Sequence, residues 1–516
     1  MPPLATPRIA RAQSARTLRF IPQADLSILD PHFNTAYVTR NHGYMVYDTL
    51  YGLNGRYQAS GQMVAGHVTE PDGLRWTLTL RDGLRWHDGT PVLARDCVAS
   101  IRRWGAKDTF GQTLLAATDE LSAPDDRRIV FRLRHPFPLL PDALGKAGVY
   151  MPAMMPERLA ETDPGKQVTE IIGSGPFRWL PNERVPGVRA VWERFDRYVP
   201  VPTGTPEYTS GPKIAHLDRV VWTTVPDPAT AAAALQANET DWWEYAAADL
   251  LPLLRRQSGI TTRVQDPAGQ GALLRMNWLQ PPFDNPAIRR IVLHAVVQSD
   301  YMTAMLGDDR TLWHDGAGVF TPGTPLANDA GLDAITGPRD MAALARDLST
   351  AGYRGEPVAL VVPTDFPNLK ALSDVGADML KRLGFNVDYQ ATDWGTLLSR
   401  RAKMDPVAAG GWSLFFTFSA GTDMATPAAY LMLRGTGRKA WFGWPEDPRL
   451  ETLRDTWFAA PTLPAQQAIA RDIQAQVFET VPFVPLGQYF QTTAYRKTLT
   501  GALDGFATFW NVKLDG

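Results

Sequence analysis

The 516 residues contain a single cysteine, Cys97, so no disulfide can form within the chain. Such low cysteine usage is compatible with an oxidising compartment without proving one. Cys97 sits in the apolar-periodic run Cys97-Val-Ala-Ser-Ile101 with no neighbouring base, the setting of a buried, inert thiol. An excess of either charge is also missing. The net charge of -2 gives no electrostatic reason to expect nucleic acid or an anionic membrane as partner. No apolar run reaches the roughly 18 residues of a membrane span, so no membrane insertion by the body of the chain is expected. The chain has no P-loop, no G-x-S-x-G elbow and no H-E-x-x-H. Gly435-Thr-Gly-Arg-Lys-Ala440 imitates a dinucleotide fingerprint, but Trp-Phe-Gly-Trp follows where a helix is required. The histidines at 32, 42, 67, 87, 135, 216, 294 and 314 share no ligand spacing, so neither a metal nor another cofactor is expected.

What the chain does have is aromatics and turns: 16 Trp, 42 Pro and 42 Gly. Aromatic surplus fills cores, and it also lines ligand clefts. The length exceeds one core, so two or three domains are expected. Strands are expected where apolar residues alternate, as at Thr17–Ile21, Arg75–Arg81 and Arg128–Arg134. Asp82-Gly83 then predicts a hairpin from Arg75–Arg81 into Leu84–Trp86. Helices are expected over Ala36–Leu50, Ala94–Trp104, Ala229–Ala237, Leu372–Leu383 and Ala287–Gln298, the last with Arg289 and Arg290 facing outward. Helices and short strands mix without strict alternation, which is an α/β class of irregular order. At the N-terminus, Ala10-Arg-Ala12 has the A-x-A form of a signal-peptidase site in a Pro- and Ala-rich segment without acids. Residues 1–12 read as the tail of an export signal; a disordered arm is the alternative.

The tetrapeptide Trp-His-Asp-Gly occurs at 86–89 and again at 313–316. A repeated His-Asp pair raises the question of a metal site, an acid–base pair or a duplication. The flanks share almost nothing, so duplication is rejected. A turn explains the first copy: Asp88 can bond the backbone two residues on, Gly89 supplies the open dihedral, and Pro91 ends strand pairing.

The run Trp76-Thr-Leu-Thr-Leu-Arg81-Asp-Gly83-Leu-Arg-Trp86-His87-Asp88-Gly89-Thr-Pro91, with Asp96-Cys-Val98, resembles the signature of the extracytoplasmic solute-binding proteins of family 5, the peptide/nickel/opine class that serves ATP-binding-cassette importers. Ile172-Gly-Ser-Gly-Pro-Phe177, Leu235-Gln-Ala-Asn-Glu-Thr-Asp241 and Pro282-Phe-Asp-Asn-Pro-Ala-Ile-Arg-Arg-Ile291 are similar to further family motifs, in order, over about residues 17–510. Leu93 departs from the usual Thr and removes an N-cap hydroxyl worth about 0.5–2 kcal/mol.

The resemblance implies a two-lobed periplasmic-binding-protein fold of the large type II variant, with an extra subdomain and two crossing strands. After an N-terminal arm at 1–16, the expected first lobe comprises 17–45, 168–265 and 485–516. The subdomain is expected at 46–167 and the second lobe at 266–484. The chain is then a periplasmic, non-catalytic, monomeric receptor. It would hold a peptide or a peptide-like or opine-like solute in the interlobe cleft and deliver it to importer permease subunits. A hydrolase acting on a cleft-bound ligand and a chemosensory receptor are the alternatives. Gly410-Gly-Trp-Ser-Leu-Phe-Phe-Thr-Phe-Ser-Ala-Gly-Thr-Asp-Met424 is similar to the family's cleft segment. Positions 413–422 hold no acid, which argues against a dipeptide ammonium and for a ligand with an apolar or ring face. The expected ligand contacts are Trp412, Ser413 and Asp423 in this segment, Asn277 and Trp278 on the outgoing crossing, Tyr489 on the return, and Tyr37 and His32 after the first strand. The same phenylalanine run also fits a buried strand beside the cleft.

Overall fold

The computed structural model describes residues 16–515, so residues 1–12, read above as an export signal, lie outside the described residues. The first strand, Thr17–Ile21, buries Leu18 and Phe20 at its alternating positions. It lies within a seven-stranded sheet ordered Ile260–Val264, Thr492–Arg496, Trp242–Trp243, Thr17–Ile21, Arg219–Thr223, Arg189–Arg194 and Phe177–Trp179. The tryptophan surplus is spent partly here: Phe20 packs against Trp222, Trp242 and Phe509 at 5.4, 5.2 and 5.0 Å between ring centres.

A second, six-stranded sheet is ordered Trp313–His314, Val484–Tyr489, Gln270–Met276, Leu414–Ala420, Pro357–Pro363 and Asn386–Thr392. Gln270–Met276 and Leu414–Ala420 are buried at every position, as expected of central strands covered on both faces. The phenylalanine run is therefore a buried strand.

The chain crosses between these two sheets twice, at residues 265–269 and again at 490–491. The second change differs from the expected boundary. Tyr489 stands opposite Gln270, so residues 485–489 belong to the second sheet and not to the first lobe. The reason is pairing: antiparallel register with Gln270–Met276 carries the returning strand to the level at which its neighbour entered.

Between the elements of the first sheet, four strands form a separate small sheet ordered Val64–Thr69, Arg75–Leu80, Arg128–Leu133 and Thr118–Ser122. The hairpin expected from Arg75–Arg81 into Leu84–Trp86 does not form. Both edges of Arg75–Leu80 are taken by Val64–Thr69 and Arg128–Leu133, and Leu84–Trp86 leaves the sheet with one bridge, Arg85 to Pro91.

Trp86-His-Asp-Gly89 is a turn. Gly89 N–H donates to Trp86 O at 2.8 Å, Thr90 N–H donates to Asp88 Oδ1 at 2.9 Å, and Gly89 has φ 90°. The turn is also a clamp: His87 donates from its backbone N–H to Gly173 O and from Nε2 to Gly175 O, at 2.9 and 3.0 Å. It thus ties the small sheet to the Gly173-Ser-Gly-Pro176 turn. Asp96 at the third helical position keeps the other half of a capping box, accepting from Leu93 N–H at 2.9 Å and from Trp86 Nε1 at 3.2 Å.

Arg289 corrects the expectation that it faces outward. It is buried, donates to the carbonyls of Phe283, Asp284 and Thr480, and lies 3.5 Å from the Trp278 ring centre. Helical periodicity places a side chain on a face but does not register carbonyls waiting there.

Candidate functional site between the lobes

Tyr37 opens the helix Tyr37–Val46 of the first lobe, and Asp423 follows the end of the strand Leu414–Ala420 in the second. The turn after Ala420 folds Asp423 back, with Asp423 N–H donating to Ala420 O at 2.9 Å. The Tyr37 hydroxyl donates to Asp423 Oδ2 at 3.0 Å and accepts from Ala420 N–H, while its ring stacks on Phe418 at 5.4 Å and 22°. The small subdomain closes a third side: a Cβ on Gly148 would lie 1.7 Å from Asp423 Oδ1, so any side chain there would have to displace that carboxyl or its own loop.

Tyr37, Phe366, Trp394, Arg401, Phe418 and Asp423 are among the residues lining a cavity of about 30 Å³ between the lobes. A second cavity of about 20 Å³ lies on the other side of Tyr37, with Arg40, Glu244, Asp266 and Gln270 in its wall. Further contacts draw the lobes together: Arg401 Nη2 to Thr35 Oγ1 at 2.9 Å and Asn368 Nδ2 to Gln491 Oε1 at 2.8 Å. From the subdomain, Thr109 Oγ1 reaches Ala428 O at 3.1 Å, and Gln112 Oε1 accepts from Arg434 Nη1 at 2.7 Å.

Burial dominates the electrostatics. It raises the Asp423 carboxyl above its ordinary range, against the opposing pull of Lys146, Arg40 and the Tyr37 hydroxyl. Burial, then the Asp423 charge, pushes the Tyr37 phenol well up, so Tyr37 is a protonated donor to that carboxyl. Burial likewise raises Glu244 to about 7, although Gln23 and Asn41 donate to it, and raises Asp266 to about 6. Arg40 lies among these acids with its guanidinium 4.5 Å from the Tyr37 ring centre and 3.9 Å from that of Phe506. Among the described residues no group of three or more His, Cys, Asp or Glu converges as a metal site would require. Aromatic faces, hydroxyls and buried charges of both signs thus meet between the two lobes, which is the chemistry that ligand clefts use for polar organic solutes.

The model of the bacterial extracellular solute-binding proteins, family 5, matches residues 59–441. A probable peptide ABC transporter periplasmic-binding protein of Sinorhizobium fredii is 36% identical over 99% of this chain and 96% of its own length. The chain belongs to solute-binding family 5. A glutathione-binding protein of Pectobacterium atrosepticum is 23% identical over 92% of this chain and 88% of its own. Among solved structures, the agropinic-acid complex of AgaA from A. tumefaciens R10 superposes with a TM-score of 0.80 at 20% identity, covering 97% of this chain and 99% of that one. Haemophilus influenzae OppA in complex with a peptide gives 0.79 at 16%, covering 98% and 99%. The fold is thus the two-lobed periplasmic-binding-protein fold, and the protein is a transport binding protein, not an enzyme.

Within this solute-binding protein the expected contacts separate into groups. Tyr37 and Asp423 meet in the cleft. Tyr489 is buried at the hinge end, edge-on to Phe418 at 6.4 Å. Asn277, Trp278, Trp412 and Ser413 line neither cavity. They gather at the far end of the second sheet, where Asn277 donates from N–H to Ser413 O and from Nδ2 to Trp412 O, both at 2.9 Å. Trp412 is wholly buried against Phe415 and Trp444, and Ser413 Oγ accepts from Ala359 N–H at 3.0 Å. The reason is the length of the strand: seven residues of Gln270–Met276 span about 20 Å, so its exit end is remote from the crossing. His32 is buried beside the Asp30–Arg103 ion pair, outside both cavities, and burial lowers it to about 4.

Arg401, Trp394, Phe366 and Arg40 were not expected from the sequence. A signal for Arg401 was present: Trp394, Leu397, Leu398 and Arg401 share one helical face, and the first three are buried. A charge on an apolar stripe marks a buried polar site.

Proposed function

We propose that this solute-binding protein encloses a peptide or an opine-like solute between its lobes and presents it to the permease subunits of an ABC importer as a periplasmic monomer. The Tyr37–Asp423 bond across the lobes is the observation that carries this reading. It couples closure to a carboxyl and a backbone N–H of residues that line the two cavities, so a ligand group engaging them reports directly on lobe position. In this reading Asp423 receives an ammonium or hydroxyl of the ligand, and Phe418, Phe366 and Trp394 hold an apolar or ring portion. The acid-free stretch 413–422 does not leave the cleft without an acid, because the turn after Ala420 returns Asp423 to it. The family names of the relatives, which include peptide, glutathione and agropinic-acid binders, support this range of solutes.

The test is titration calorimetry of refolded protein with short peptides and N-carboxyethyl amino acids, followed by analysis of the recovered ligand. One equivalent bound and recovered intact, with a smaller radius of gyration in the bound state, is expected. Steady product formation that disappears in Asp423→Asn would replace this reading with a hydrolase.

A further inference from the structure

Arg401 is buried, and its guanidinium finds no carboxylate partner among the described residues. Nη2 donates to Thr35 Oγ1, Nε has no acceptor at all, and Trp441, Phe442 and Trp394 surround the group at 5.3, 5.0 and 5.8 Å. Other buried guanidinium groups have more complete partners: Arg454, whose Nε also lacks an acceptor, has Glu451 at 3.5 Å, and Arg289 donates to three carbonyls. Arg275 donates to the carbonyls of Phe442, Pro482 and Trp441, and Arg103 is paired with Asp30. Arg40 has Glu244, Asp266 and Asp423 as electrostatic neighbours. A buried charge without a counter-ion is costly, and aromatic faces recover only part of that cost. Its one side-chain acceptor, Thr35, belongs to the opposite lobe. Arg401 is also held in place: Trp412, buried behind it, donates from Nε1 to Arg401 O at 3.1 Å.

We infer that Arg401 is the anion-receiving subsite of the cleft, and that the transported solute carries a carboxylate, or an acid of equivalent geometry, which pairs with Arg401 against Trp394 and Trp441. This rests on the receptor reading above and assigns to one residue the carboxylate that peptides and opine-like solutes carry. A planar carboxylate matches the guanidinium fork, supplies the missing acceptor to Nε, and lies beside Thr35 of the facing lobe. Binding of the acid and closure of the lobes then reinforce one another. Asp423 lines the same cavity, so an acidic group and a donor group of one solute are read by separate residues.

The experiment offers refolded protein a mixed pool of short peptides and N-carboxyethyl amino acids, and the same pool after methyl esterification, which caps carboxyls and leaves amines free. Retained compounds are weighed by mass spectrometry. The parent protein is expected to retain the free acids and to reject the esters. Arg401→Gln is expected to lose about 30-fold or more in retention of the free acids and to lose the preference for acid over ester. Asp423→Asn is expected to keep that preference. Arg401→Met tests the buried charge without any ligand: its melting temperature is expected to equal or exceed that of the parent, where loss of a structural arginine lowers it. Equal retention of acids and esters by the parent, or unchanged retention by Arg401→Gln, overturns the subsite and leaves the receptor reading standing. Retention of neither pool by the parent overturns both.

Discussion

Tyr37 and Asp423 lie 386 residues apart in sequence and are joined by one hydrogen bond of 3.0 Å that spans the two lobes. The same hydroxyl also accepts from Ala420 N–H, so a single phenol satisfies a donor and an acceptor of the second lobe. Substitution to Phe keeps the ring on Phe418 and removes only that oxygen. Tyr37→Phe is expected to destabilise the closed form by about 1–3 kcal/mol, because two buried polar groups lose a partner. Small-angle scattering of the variant at saturating ligand should show a larger radius of gyration than the parent under the same conditions. An unchanged radius would remove Tyr37 as a latch.

Gly148 presses its backbone against Asp423 from the subdomain. Gly148→Ala places a methyl where the carboxyl oxygen sits, so either the loop or Asp423 must move. Ligand affinity is expected to fall by about tenfold or more, while a melting curve of the unliganded protein changes little. A large loss of stability with intact affinity would show that the contact is structural.

Glu244 gives a pH prediction. Burial raises its carboxyl from the ordinary value near 4.5 to about 7 in the folded protein. Below about 4.5 both states hold the proton. Between about 4.5 and 7 the unfolded chain releases it and the folded chain keeps it, so this group's stabilising contribution is lost as pH rises through that window. The stability difference between the parent and Glu244→Gln should therefore fall with rising pH, by about 1.4 kcal/mol for each unit crossed, and level off above 7. Paired urea titrations across this range measure it. A flat difference would mean that Glu244 ionises as an exposed acid does.

Trp412 was expected from the sequence to touch ligand, and the structure places it in the core. Trp412→Ala is expected to cost about 3–5 kcal/mol of stability by opening a cavity. Trp412→Phe, measured at a temperature where it stays folded, should weaken binding only as far as Arg401 loses its backbone anchor. Direct contact would instead appear as ligand-dependent quenching of Trp412 fluorescence.

The contrast between Trp412 and Asp423 shows what the sequence could and could not reveal. Alternation and turn residues are local, so strands such as Arg128–Leu133 and helices such as Ala94–Gly105 are readable to within a residue or so. The failed hairpin at Leu84–Trp86 shows the limit: alternation does not say which neighbours already occupy a strand's edges. The cleft depends on which ends of two sheets meet. Asn277 and Trp278 follow the outgoing strand in sequence and so seemed near the hinge, yet the strand carries them to its far end. Tyr37 and Asp423 could be placed at the facing ends of the lobes because each lies just past the end of a strand or at the start of a helix. Arg401 was legible only as a charge on an apolar stripe, a pattern that does not by itself separate a ligand-binding arginine from a structural one.

Native mass spectrometry of gently purified protein, before and after unfolding and refolding, tests the central claim most directly. The account predicts one discrete extra mass per chain that is lost on refolding, regained from host extract, and recovered chemically unchanged with a free acid group. A chain that carries no solute and takes none from that extract would contradict it, as would a bound species that is steadily converted to product.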